Sequence, residues 1–249
     1  MRRIAIACVL VVSSVALARV HPRFEPTDLE LETSGVMELD AQLGIVRGPN
    51  ASRIVAPDLE LDLGLLENVE LDLDGAFAIE GAGDTRLFDH RAVDNSWASV
   101  KLGLYDSHGA DHSWALGVQV GPKLPFATGA HGIGVEGLVL LAQMTGPLHL
   151  VLGAGGLVDP HDGSSPRPVG LEAGLDLEYE IVPDRWSFLG ELGGVWYHSN
   201  DDPQLSVTAG LQYSPTSTLD LSIVVLGGFL AGSDPFGVLF GISPKFTLW

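Results

Sequence analysis

One stretch limits what this chain can fold into more than any other. Val169–Ile181 reads VGLEAGLDLEYEI, in which Val169, Leu171, Ala173, Leu175, Leu177, Tyr179 and Ile181 alternate without a break against Gly170, Glu172, Gly174, Asp176, Glu178 and Glu180. A repeat of two is the side-chain period of a β-strand, so one face is wholly apolar and the other carries four carboxylates. On a helix the same acids would scatter around the cylinder. The length is close to that of a tilted membrane-crossing strand. Repeated around a closed antiparallel sheet, this unit makes an all-β transmembrane barrel with an apolar outside and an acidic inside.

The 249 residues contain no charged or Pro/Ser-rich linker, so a single domain is expected. Met1, Arg2 and Arg3 make a basic start, and Ile4 to Leu17 is a mostly apolar run too short to span a bilayer as a helix. Ala16-Leu17-Ala18 then has the small-x-small form of a signal-peptidase site. The expected organisation is a signal peptide over 1–18, a polar periplasmic lead-in over 19–34 and a barrel over 35–249. The only cysteine, Cys8, falls in the leader, which leaves the exported chain no thiol or disulfide chemistry. Removal of Arg2 and Arg3 would lower the formal charge from −19 to −21, a balance that argues against nucleic acid as a partner. No later stretch has the apolar length of a transmembrane helix, so the choice lies between a soluble β protein and a membrane barrel.

The opening pattern recurs. Val36–Val46 sets Met37, Leu39, Ala41, Leu43 and Ile45 against Glu38, Asp40 and Gln42. Ile54–Leu63 sets leucines against Asp58, Glu60 and Asp62, and Val69–Glu80 does the same with Glu70, Asp72 and Asp74. Further strands are expected at Trp97–Leu104 and Ser113–Leu124, with Lys101 and Lys123 facing inward, and at Gly134–Thr145, which is apolar on both faces in part and has no readable register. Leu148–Val158, Val169–Ile181, Trp186–Tyr197, Gln204–Ser214, Leu219–Gly227 and Phe236–Leu248 complete twelve.

An even count returns both ends of the chain to one side, where alternate connections should be short. They are short around Leu65–Asn68, at Gly146-Pro147, at Pro183-Asp184 and at Ser214–Thr218; Asp106–His112 is the exception. Tyr105, Trp114, Tyr179, Trp186, Tyr213 and Trp249 fall at the short-turn ends of strands, and Trp97, Trp196, Tyr197 and Phe236 at the opposite ends. Two aromatic girdles are what two membrane interfaces select. A soluble sandwich also alternates, but it explains neither the girdles nor a polar face that is nearly all acid.

An inward Lys101, the run Lys123-Leu124-Pro125-Phe126-Ala127-Thr128-Gly129, a glutamate-bearing strand followed by a Pro183-Asp184 turn, and the aromatic C-terminus occur in an order that resembles the MetA-pathway of phenol degradation family. The resemblance covers most of Val36–Trp249. It implies a transporter-like barrel in the outer membrane of a Gram-negative cell, associated with uptake of hydrophobic or aromatic compounds. The final strand departs from the usual pattern: counting back from Trp249 gives Thr247, Lys245 and Ser243, while the apolar set Phe236, Val238, Phe240, Ile242, Phe246 and Leu248 is one position out of phase. Pro244 marks an expected irregularity there.

The expected lumen lining is Glu38, Asp40, Asp58, Glu60, Asp62, Glu70, Asp72, Asp74, Lys101, Lys123, Glu172, Asp176, Glu178 and Glu180. Eight of the acids come from three consecutive strands and should crowd one wall, offset by the two lysines and bound cations. An apolar patch for cargo is expected around Val139 and Leu141. No calcium-loop spacing occurs, and His108 and His112, four apart, lack the helix that would turn such spacing into a zinc site. His90, His131, His161 and His198 lie in separate loops and read as surface residues. No nucleophile-elbow, phosphate-loop or zincin motif is present, so no catalytic residue, metal or cofactor is expected. Expected partners are outer-membrane lipid and a small solute or cations. Two readings stay open: a channel for small, hydrophobic or aromatic molecules included, and a non-transporting structural or adhesive barrel that acts through its loops.

Overall fold

The computed structural model describes residues 31–47, 52–81, 90–92, 96–107, 112–126, 130–161, 167–198 and 202–249, and the backbone alone at 52–57, 76–81 and 90–92. The expected signal peptide and the lead-in as far as residue 30 lie outside the described residues. The strands are β1 (Val36–Arg47), β2 (Ser52–Leu66), β3 (Val69–Gly81), β4 (His90–Ala92), β5 (Ser96–Asp106), β6 (His112–Gly121), β7 (Lys123–Leu124), β8 (Val135–Thr145), β9 (Leu148–Val158), β10 (Val169–Val182), β11 (Trp186–Tyr197), β12 (Gln204–Thr216), β13 (Leu219–Gly228) and β14 (Phe236–Thr247).

Twelve of these form a ring. Antiparallel pairing runs from β1 through β2, β3, β5, β6 and β8 to β14, and β14 returns to β1 from Val36↔Thr247 to Arg47↔Phe236. The short β4 and β7 are side pairings on β3 and β5. Closure leaves no sheet edge, which is the condition for a β structure to cross a bilayer.

Alternation decides which face is which. Leu43, Val139, Leu152, Leu175, Ile223 and Phe240 are exposed on the outside, while their sequence neighbours are buried or half-buried within. A continuous apolar exterior of this kind calls for lipid around it. The tight turns between β2 and β3, β8 and β9, β10 and β11, and β12 and β13 all lie at the end that holds Val36 and Thr247. Two of them use the left-handed region, Gly146 at φ 55° and Asp184 at φ 57°, residue types that tolerate it.

Register corrects several expectations. In β8, Leu138 and Leu140 point inward, whereas Val139 (54% exposed) and Leu141 (38%) face out, so the expected cargo patch at those two positions is on the lipid side. Trp97 is buried against Leu138, Leu140, Ala142 and Val151, and Tyr197 reaches inward to Asp159, so neither belongs to an outer girdle. The strand expected over Ser113–Leu124 breaks at Pro122, which has no N–H for the ladder, and resumes as β7 in the same register on β5. In β14 the out-of-phase apolar set is the exterior one: Phe236, Phe240, Ile242 and Phe246 are exposed while Leu239 and Ser243 are buried. Pro244 interrupts the pairing with β1 without shifting it, since Glu38↔Lys245 and Ala41↔Ile242 share one register.

Candidate functional site

The inner wall divides into two chemistries. On β1–β3, Glu38, Asp40, Asp62, Glu70 and Asp72 are buried, and Asp58, Glu60 and Asp74 are half-buried. Across the barrel, Glu172 and Glu178 are buried and Asp176 and Glu180 half-buried on β10, beside the apolar inner side of β8 and β9. Cross-strand register sets the crowding: Glu60 lies opposite both Asp40 and Asp74, and Asp62 opposite both Glu38 and Asp72. Like charges at such distances destabilise a sheet unless something compensates them.

Lys101 and Lys123, both buried, and the half-buried Lys245 supply compensation. Lys101 Nζ, 1% exposed, stands 2.7 Å from Glu70 Oε1 and 3.9 Å from Asp72 Oδ2. Asp72 Oδ2 also accepts hydrogen bonds from Ser99 Oγ (3.0 Å) and Gln119 Nε2 (2.7 Å). Carboxylate oxygens of Asp62, Glu70 and Asp72 lie within 4.8 Å of one another, close enough for a cation, and the Lys101 ammonium brings positive charge to the group. At the second centre, Lys245 Nζ is 2.6 Å from Glu32 Oε1 and 3.0 Å from Glu38 Oε2, while Ser243 donates to Asp40. At the third, Lys123 Nζ is 2.6 Å from Glu136 Oε2 and 3.3 Å from Asp159 Oδ1, and Tyr197 donates to Asp159 at 3.1 Å. An ammonium held between two carboxylates offsets part of the large cost of burying either charge alone.

Several members of these centres were not singled out from sequence. Lys245 falls in the departing final strand, Glu136 in the strand with no readable register, and Gln119 and Ser99 are neutral. Buried His149 and Asp220 also point inward. Further along the wall Ser187 Oγ donates to Glu178 Oε1 at 2.7 Å and Thr208 Oγ1 to Glu191 Oε2 at 3.2 Å. A small cavity there is lined by Asp176, Leu189, Glu191, Thr208 and Val224.

The short-turn mouth is crossed by the chain itself. Leu31–Ser34, the described end of the expected lead-in, runs against the inside of the wall rather than away from it. Glu32 binds Lys245 through its side chain and donates its main-chain N–H to Glu70. A Cβ on Gly64 would collide with the carbonyls of Glu32 and Thr33, so that position has room only for glycine. The Leu31 side chain lies over Gly103 of β5. The strap thus spans from β14 to β5 across the acidic side of the lumen.

Among the described residues the histidines are dispersed, with one exception. His112 Nδ1 is 3.2 Å from Thr145 Oγ1, while His108 and Asp111 lie outside the described residues. His131 and His161, expected as separate loop residues, are brought together with their rings in tilted contact.

No family model matches the chain, and no curated relative does. Solved structures do resemble it. An outer-membrane channel from Pseudomonas putida F1, described as a COG4313 channel, superposes with a TM-score of 0.63 at 14% identity over 90% of this chain and 100% of that one. The chain has the fold of an outer-membrane channel. The NanC porin aligns at a TM-score of 0.58 and 13% identity over 84% of this chain and 100% of its own, and the KdgM porin at 0.50 and 9% over 85% and 99%.

Proposed function

We propose that this barrel is a channel for small solutes in the outer membrane, and that its lumen favours cations. The observation that carries the reading is inside the barrel: Asp58, Glu60 and Asp74 on one wall and Asp176 and Glu191 on the other stay partly accessible, between more deeply buried charges at either end. Carboxylates within a Debye length of a water-filled path raise the local concentration of cations and repel anions, more strongly at low salt. The channel and porin folds it resembles are consistent with that role. The apolar inner side of β8 and β9, with Leu138, Leu140, Ala142 and Val151 against Trp97, is where a hydrophobic or aromatic cargo of the kind the family resemblance implies would find contact.

Reversal potentials in planar bilayers under a salt gradient test this. The wild type should prefer cations, and Glu60→Gln with Asp74→Asn should move the reversal potential toward zero. Anion preference, or no change in the double variant, removes the carboxylates from the permeation path. The structural or adhesive reading is favoured by a different observation, the strap at the mouth together with the near-complete burial of Glu38, Glu70 and Lys101. If neither the wild type nor Lys245→Met, which frees the strap from its ammonium anchor, conducts at all, that second reading is the correct one.

A further inference from the structure

His131 and His161 are separated by thirty residues of chain, one in the connection from β7 to β8 and the other in that from β9 to β10. The fold joins them because β8 and β9 form a hairpin whose long-loop ends are paired at Val135↔Val158. Beyond that end the two chains meet again. His131 N–H donates to the His161 carbonyl at 2.8 Å and His161 N–H to the His131 carbonyl at 2.9 Å, an isolated antiparallel bridge. Residues that exchange both bonds in this way project their side chains from the same face, and here the ring centres are 4.9 Å apart at a tilt of 51°.

That spacing is compatible with a shared metal ion. With metal–nitrogen bonds of about 2.0–2.1 Å, two imidazoles on one ion have ring centres roughly 4.5–5.2 Å apart for angles between octahedral and tetrahedral. The backbone beneath is already fixed. Arg167 Nε donates to the Asp159 carbonyl at 2.8 Å, the same guanidinium donates to the Ile133 carbonyl, and Gly134 exchanges main-chain bonds with Lys123 at 2.8 and 3.2 Å. Little ordering is left for an ion to impose, which favours binding.

We propose that His131 and His161 form a two-imidazole site for a divalent transition metal of the Cu²⁺, Ni²⁺ and Zn²⁺ class. The ion clamps His131, ahead of β8, to His161, after β9, at the long-loop end. Neutral imidazole suits these ions, and Cu²⁺ should bind most tightly among them. The site lies outside the carboxylate wall and does not depend on the channel reading.

Titration of the full-length protein in detergent with Cu²⁺, followed by electron paramagnetic resonance, tests the proposal. The wild type should bind one ion with the hyperfine pattern of two equatorial nitrogens, and His131→Ala and His161→Ala should each weaken it by at least about tenfold and leave at most one nitrogen. His198→Ala, in the loop after β11, should change nothing, and heat-modifiable migration on gels checks that every variant keeps its barrel. Hydrogen exchange at Gly132–Gly134 should slow on adding Zn²⁺ to the wild type and not to either variant. Equal affinity in all four proteins, loss in only one of the two variants, or a single-nitrogen spectrum in the wild type would overturn the paired site.

Discussion

The wall built from β1–β3 and the wall built from β8 and β9 look alike from the membrane and unlike from the lumen. Outside, Leu43 and Leu73 on one wall and Val139 and Leu152 on the other are interchangeable in kind, because lipid asks every strand for the same apolar surface. Inside, the first presents carboxylates held by Lys101 and Lys245, and the second presents Leu138, Leu140, Ala142 and Val151 packed on Trp97. The exterior is set by the solvent, whereas the interior is free to differ from wall to wall. Stability should therefore respond to different losses on the two sides: on the acidic wall to loss of a counter-charge, on the apolar wall to loss of volume.

The largest effect expected is at Lys101. Lys101→Met would leave Glu70 and Asp72 buried without their ammonium and should cost about 3–5 kcal/mol in urea unfolding from vesicles. Adding Glu70→Gln should recover part of the loss, and failure to recover any would mean that the lysine acts through packing alone. Next comes the lipid face. Leu141→Arg should cost roughly 2–4 kcal/mol, the value for a charge near mid-membrane. Its neighbour Leu140, 0% exposed, tests the apolar wall: Leu140→Ala should cost about 2–5 kcal/mol through the cavity it opens. A mild Leu141→Arg with a severe Leu140→Arg would reverse the faces assigned to β8. The smallest effect should be at Ser187→Ala, which removes one neutral donor from Glu178 and should cost about 1–3 kcal/mol.

The same contrast explains what could be read from the sequence. Where the inside is acidic the two faces differ in kind, so β1, β3 and β10 and their inward carboxylates stood out from alternation alone. In β8 both faces are apolar in part, and only pairing with β6 and β9 shows that the even-numbered residues, Glu136 among them, point inward. Lys245 was obscured for a related reason: alternation is a local signal, and the apolar set of the final strand is one position out of phase with a count back from Trp249. Contacts made by the fold, such as Lys245 with Glu32 beside the β14–β1 seam or His131 with His161 beyond the β8–β9 hairpin, join residues far apart in sequence with no spacing to betray them. The tight turns were legible because Gly-Pro and Pro-Asp carry their geometry in their composition.

In this barrel one face of each strand is assigned to lipid and the other to a hydrated lumen. Cys8 is the only cysteine, so with Cys8→Ala nitroxides can be placed singly at Val139→Cys and Glu60→Cys and their relaxation measured in lipid vesicles. Relaxation by oxygen, which concentrates in the bilayer, should dominate at position 139, and relaxation by a water-soluble nickel chelate at position 60. Equal responses at the two positions, or the reverse pattern, would contradict a barrel with lipid outside and water within.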